Sequence, residues 1–140
     1  MRTLACHCTF CQKVTGSSYF AESMFPMNAV QFNNGKMRTY EHVSEGSGKK
    51  VFVHFCESCG TTVSLSFERW PDVRGIARGC YDNPDAVIVS SHIWTQSAQS
   101  GTALPEGVEC FTRARMTLEG KSEPSVSHTS PVMARPSSDA

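Results

Sequence analysis

Cys6-His7-Cys8-Thr9-Phe10-Cys11 is answered downstream by Cys56-Glu57-Ser58-Cys59-Gly60. Five of the seven cysteines of this 140-residue chain fall in these two clusters. Cysteines used only as small core residues would be scattered instead. Thiolates at C-x-C-x-x-C and C-x-x-C-G spacing are what a soft, tetrahedral metal requires, and zinc fits that donor set. The fold must therefore bring these thiols together. The open question is whether the metal does chemistry or only holds the structure.

At 140 residues the chain reads as one domain with a modest core. Its formal net charge is +0 and its isoelectric point is near neutral. That balance leaves no electrostatic footprint for nucleic acid or an anionic membrane. Met1-Arg2-Thr3-Leu4 runs straight into the first cluster, and nothing resembles a signal peptide or a transmembrane span. The expectation is a reducing, cytoplasmic setting in which thiols persist as thiols or metal ligands. An odd number of cysteines also fits poorly with a complete disulfide framework.

Thr9 to Val14 predicts a short helix, with capping-box spacing from Thr9 to Gln12 and Gly16 as its stop. Cys11 then lies in the first turn and Cys8 just before it, where backbone N–H groups can donate to sulfur. Ser18 to Met24 reads as extended. Ala29 to Asn33 and Lys36 to His42 flank Asn34-Gly35, which predicts a hairpin. Val51 to Phe55 and Thr61 to Phe67 are rich in β-branched and aromatic residues, so Cys56 and Cys59 sit at the tip of a zinc-knuckle hairpin. Val73 to Cys80 and Ala86 to Ser91 read as strands separated by the Asp82-Asn83-Pro84-Asp85 turn, and His92 to Gly107 as mostly irregular. The zinc domain spans residues 1–115. Beyond it the chain turns Ser/Pro-rich and loses its aromatic residues, so 116–140 reads as a disordered tail.

Three ligands at Cys6, Cys8 and Cys11 leave a fourth tetrahedral position open, as catalytic zinc sites do. The competing reading closes the site structurally with His7, Cys80 or a group from the other cluster. Cys56 and Cys59 supply two ligands of the four a structural site needs. All five clustered cysteines serving one zinc is a further reading, and spacing alone does not partition the ligands.

Ala5-Cys-His-Cys-Thr-Phe-Cys-Gln-Lys-Val-Thr-Gly16-Ser17 resembles the first signature of the glutathione-dependent formaldehyde-activating enzyme (GFA, or CENP-V/GFA) family. Phe55-Cys-Glu-Ser-Cys-Gly-Thr61 is similar to its second signature. Gly75-Ile-Ala-Arg-Gly79, Asp82-Asn-Pro-Asp85 and Ser91-His-Ile-Trp94 resemble its later strands. The resemblance runs from about Leu4 to about Phe111. It implies an all-β, Mss4-like fold of small antiparallel sheets with the zinc-knuckle hairpin and one short helix. It also implies a catalytic zinc on Cys6, Cys8 and Cys11, and a structural zinc that Cys56 and Cys59 share with an upstream C-x-C. The implied activity is that of a carbon–sulfur lyase acting on the adduct of glutathione, or a similar small thiol, with formaldehyde.

The upstream C-x-C would lie before Met1. The chain then reads as N-terminally truncated relative to the family, or Cys56 and Cys59 recruit other ligands, or that zinc is lost. An unpaired sheet edge left this way would invite homo-oligomer formation.

Cys80 and Cys110 read as buried small hydrophobes, and His54 as a strand histidine held by hydrogen bonds. His92 is a candidate pocket residue. Ser17 and Ser18 are either donors to a substrate oxygen or a simple turn. Lys13, Arg74 and Arg78 read as solvated charges, and Trp70 and Trp94 as packing residues. Two functional classes remain: a zinc-thiolate lyase, and a non-catalytic zinc module for protein or chromatin interaction. The fourth ligand on the Cys6/Cys8/Cys11 metal discriminates them.

Overall fold

A computed structural model describes residues 2–33 and 35–135. In chain order the elements are β1 (Arg2–Cys6), α1 (Thr9–Thr15), β2 (Phe20–Pro26), β3 (Met37–Val43), β4 (Lys50–Cys56) and β5 (Thr62–Phe67). They continue with β6 (Val73–Ala77), β7 (Ser91–Ile93), β8 (Ala103–Leu104), β9 (Glu109–Cys110), β10 (Val126–Ser127) and β11 (Val132–Met133). Among the described residues α1 is the one α-helix, so the all-β expectation holds. No helix is long and apolar enough to cross a membrane among the described residues. The described residues form two compact units, one of residue 2 with residues 22–33 and 35–87, the other of residues 3–21 and 88–135.

In the first unit the strands lie in the order β2, β6, β5, β4, β3, and every pair is antiparallel. Val53 of β4 and Leu65 of β5 stand opposite one another in register, each 2% exposed. Such a directly opposed apolar pair is the unit of sheet stabilisation. A register shift between His54 and Phe55 re-aims the end of β4 toward the turn that carries Cys56 and Cys59. The turn closes with Cys56 N donating to Thr61 O at 2.9 Å and Gly60 N to Cys56 O at 2.9 Å. Gly60 adopts φ +75°, a conformation that side-chain-bearing residues avoid. The zinc-knuckle hairpin is therefore formed as the residues predicted.

The hairpin expected around Asn34-Gly35 is not. Met27–Ala29 form a 3-10 turn after Pro26, and Val30 to Asn33 join no strand; Asn34 itself lies outside the described residues. Strand β3 finds its partner in β4 instead, over seven residue pairs from Met37↔Cys56 to Val43↔Lys50. The polar turn between them is closed by Gly48 N donating to Ser44 O at 2.7 Å.

In the second unit β10, β9, β7 and β1 are neighbours. The antiparallel expectation meets an exception here, since β1 pairs with β7 and β7 with β9 in parallel. The register sets Ala5 beside His92 and Cys6 beside Ile93. Ala5, Cys6, Cys11, Phe20, Phe111 and Leu104 are among this unit's buried apolar side chains. Strands β8 and β11 form a separate antiparallel pair. Ordered pairing thus extends into the segment expected to be a disordered tail. Val126 and Ser127 pair with β9, Val132 and Met133 pair with β8, and Ala134 is buried. The side chains there are poor in apolar area, but a strand at the margin of a sheet can be held through its backbone groups. Residues 136–140 lie outside the described residues.

Candidate metal centre

Strand β1 ends at Cys6, the chain turns through His7 and Cys8, and α1 begins at Thr9. The sulfurs of Cys6, Cys8 and Cys11 all lie within 4.8 Å of one another. Cys6 and Cys11 are buried and Cys8 is half-buried. The helix cap falls one residue earlier than the Thr9/Gln12 pattern predicts. Cys8 is the N-cap, with extended φ −63° and ψ 152°, and its sulfur accepts from Cys11 N at 3.4 Å. Gln12 does not reach back to a cap amide. Its Nε2 donates to His7 O at 2.6 Å and to Ser97 O at 2.8 Å, while its Oε1 accepts from Gln99 Nε2 at 2.9 Å. The Gln12 side chain thereby staples the turn between Cys6 and Cys8 to the loop after β7. Gly16 ends the helix at φ 63°, as its position predicts.

The electrostatics of the cluster centre on Cys8. Hydrogen bonds from the Cys11 and Cys6 thiols, with backbone N–H groups of Cys11 and Phe10 adding to them against burial, hold the Cys8 thiol down at about 3. Cys11 is pushed far up by its bonds to Cys6 and Cys8, by burial and by the neighbouring charge. For Cys6 a hydrogen bond with Cys11 works downward, but the bond to Cys8, burial and the Cys8 charge together raise it well above an ordinary thiol. Three sulfurs therefore share one negative charge at neutral pH, already formed at the helix N-terminus. This donor set fits a soft cation, which would take up the charge and displace the two remaining protons.

His7 is fully buried, and its Nε2 lies 2.9 Å from His92 Nδ1. The parallel pairing of β1 with β7 brings these two histidines together, and the Tyr19 ring sits 5.1 Å from that of His7. His92, a candidate pocket residue from sequence, is instead buried against His7 beside the thiols. Burial, and then His92, hold the His7 imidazole down at about 4 from 6.5, with the Ser18 backbone partly offsetting this. His92 is lowered by burial as well. The sign follows directly. Between pH 6.5 and about 4 the unfolded chain binds a proton at His7 that the folded chain refuses, so stability present above 6.5 is lost on acidification. We expect a loss of up to ~3 kcal/mol by the bottom of that window. Urea unfolding of chelator-treated protein at several pH values checks this; an unchanged slope in His7→Gln would refute it.

Cys56 and Cys59 share the β4–β5 turn, but no group of three or more ligands forms around them among the described residues. Cys59 is exposed, and its hydrogen bond with Thr61 Oγ1 at 3.1 Å, followed by the Cys56 side chain, lowers its thiol. Cys80 is exposed rather than buried as expected, because it sits on a short 3-10 turn beyond β6. Partial loss of hydration at its sulfur, and then the charge of Cys59, raise its thiol. Cys110 is buried as expected. His54 is held by both ring nitrogens, Nδ1 to Thr39 Oγ1 at 3.0 Å and Nε2 to Ser66 Oγ at 2.8 Å, so it is no spare ligand. Arg74 lies over the Phe32 ring and Arg78 donates to Val87 O, both structural uses. Trp70 packs edge-on against Phe67.

Sequence reasoning gave Gln12 a capping role and missed Gln99, because an amide staple has no signature apart from the fold. It also set Lys13 aside, although Lys13 lines a cleft with Ser17, Ser18 and Gln99. No match was found among curated proteins. The family model for the glutathione-dependent formaldehyde-activating enzyme matches residues 1–97, a span that takes in both cysteine clusters and the His7–His92 pair. On that match over more than two thirds of its length, the chain belongs to the glutathione-dependent formaldehyde-activating enzyme family.

Proposed function

We propose that this protein is a zinc-dependent carbon–sulfur lyase acting on the adduct of glutathione, or a similar thiol, with a small aldehyde. Cys6, Cys8 and Cys11 would hold the zinc. Cys56 and Cys59 would contribute half of a second, structural site. Zinc held by three thiolates supplies thiophilic Lewis acidity, favouring an incoming thiol as its thiolate.

The observation that carries the reading is the membership of the ligand group. Among the described residues it contains three sulfurs and no fourth protein donor. His7, the nearest alternative in sequence, is turned to His92 instead. A donor set of three protein groups is the pattern of catalytic zinc, whereas structural sites are closed by four. The chain's own residues then have definable tasks. Gln12 fixes the turn through His7 O and Ser97 O, so the thiols keep their spacing. Buried His7 and His92 are held to one another at 2.9 Å, which keeps His7 Nε2 occupied. In the breakdown direction the C–S bond of the adduct breaks, its electron pair stays on sulfur, and the hydroxyl proton leaves as the aldehyde carbonyl forms.

The test is cobalt substitution followed by titration with glutathione, alongside the rate of adduct formation. A thiolate charge-transfer band that shifts on adding glutathione, with a rate above the spontaneous one, is the expected result. A band indifferent to thiols would mean a closed structural centre and favour the non-catalytic interaction module.

A further inference from the structure

Cys80 belongs to neither cysteine cluster of the sequence, and packing does not explain it. It is exposed, on the 3-10 turn Arg78–Cys80 that follows β6. The register of β5 with β6 sets Ser64 opposite Ile76. Carried on past Ala77, that register returns the chain to the level of the β4–β5 turn that holds Cys56 and Cys59. The Cys80 sulfur accordingly lies 3.8 Å from Thr62 O, to which it donates. The Cys59 sulfur lies 3.1 Å from Thr61 Oγ1, on the preceding residue. Both thiols thus flank the Thr61-Thr62 pair, and all three cysteines belong to the first unit.

The backbone on both sides is held. The turn of Cys56 and Cys59 closes through Cys56 N to Thr61 O and Gly60 N to Cys56 O, each at 2.9 Å. The turn of Cys80 closes with Tyr81 N donating to Arg78 O at 3.2 Å, and Arg78 anchors it through Val87 O at 2.8 Å and Asp85 at 3.6 Å. The Cys56 side chain bonds that of Cys59, and the charge of Cys59 reaches the Cys80 thiol. The three sulfurs do not all lie within 4.8 Å of one another, as those of the first cluster do. Gathering them asks for a movement of Cys80, whose side chain is exposed and whose bond to Thr62 O is a weak thiol one.

Resting on the second-site reading above, we propose that Cys80 is the third protein ligand of a soft divalent cation, zinc foremost, bound by Cys56 and Cys59. It supplies one of the two donors that this pair lacks. The site opens to solvent at Cys59 and Cys80, so its ion exchanges faster than one held by Cys6, Cys8 and the buried Cys11.

The experiment uses the full chain loaded with zinc alone. Cys80→Ser removes the thiolate with little change of volume, and after dialysis it should hold one ion fewer than the wild type. Chelator competition should show that ion weakened by more than ~100-fold, beyond the effect of losing a mere outer partner of a ligand. Cys80→His, which keeps a zinc donor, should recover part of the loss. Zinc should also shield Cys80 of the wild type from iodoacetamide, and Cys59→Ser should abolish that shielding, as read by peptide mass spectrometry. If Cys80→Ser keeps the wild-type zinc content and affinity while Cys59→Ser loses one ion, the ligand role of Cys80 is overturned and the second site stands. If Cys59→Ser keeps the full wild-type zinc content, the turn holds no ion and both readings fall.

Discussion

Cys8→Ser is expected to strip metal from the Cys6/Cys8/Cys11 cluster while leaving α1 in place. The two roles of Cys8 separate in this variant. As N-cap, its sulfur accepts from Cys11 N, and serine is among the best residues for that task. As a donor to metal, a neutral hydroxyl is a poor replacement for a thiol held down at about 3 by its Cys11 and Cys6 neighbours. Removing a mere outer partner of a metal ligand lowers affinity about 10- to 100-fold, so losing a ligand should exceed ~100-fold. Far-ultraviolet circular dichroism of the metal-free variant should match the parent, and metal per chain should drop. A variant that loses both metal and helix would mean that the sulfur, rather than the cap geometry, holds the helix start.

Metal affinity at this cluster should climb by ~100-fold per pH unit around neutrality. Cys8 is a thiolate before the ion arrives, whereas Cys6 and Cys11 are both raised above ordinary thiols and carry their protons until displaced. Each bound ion therefore releases two protons, and the apparent affinity gains a factor of ten per pH unit for each. A carboxylate site would respond in the same direction but only in acid, since its ligands are already charged well below neutrality. Competition against a chelator at pH 6.5, 7.0 and 7.5, with proton release followed by a dye in weak buffer, measures both quantities. A slope near one proton would show that Cys6 or Cys11 is already ionised and would sink the single-charge description of the cluster.

What could be read from the residues was mainly local. The turn holding Cys56 and Cys59 follows from a β-rich run on either side and Gly60 at φ +75°. Helix α1 was legible to within a residue at each end because Gly16 stops it. Its cap was misplaced because sulfur is not counted among the usual cap acceptors, though Cys8 serves as one. Asn34-Gly35 misled for a different reason. A turn signal says that the chain can reverse, while the partner of β3 was settled by competition, and β4 offered seven matched positions. The meeting of His7 with His92 depends on parallel pairing between β1 and β7, a contact between distant parts of the chain that no short-range pattern encodes. Lys13 looked like any solvated lysine until the neighbours that line its cleft were placed around it.

The Gln12 staple bears on how the turn between Cys6 and Cys8 would stand with no metal bound. Small zinc modules commonly need the metal to fold, so that chelation melts them. Here the turn between Cys6 and Cys8 is pinned from within, through His7 O, Ser97 O and Gln99, and the thiol cage is assembled by amides and strand pairing. Loss and recapture of an ion at Cys6, Cys8 and Cys11 then becomes a local exchange on a standing scaffold. Chelation is then expected to leave α1 and the strand pairing in place.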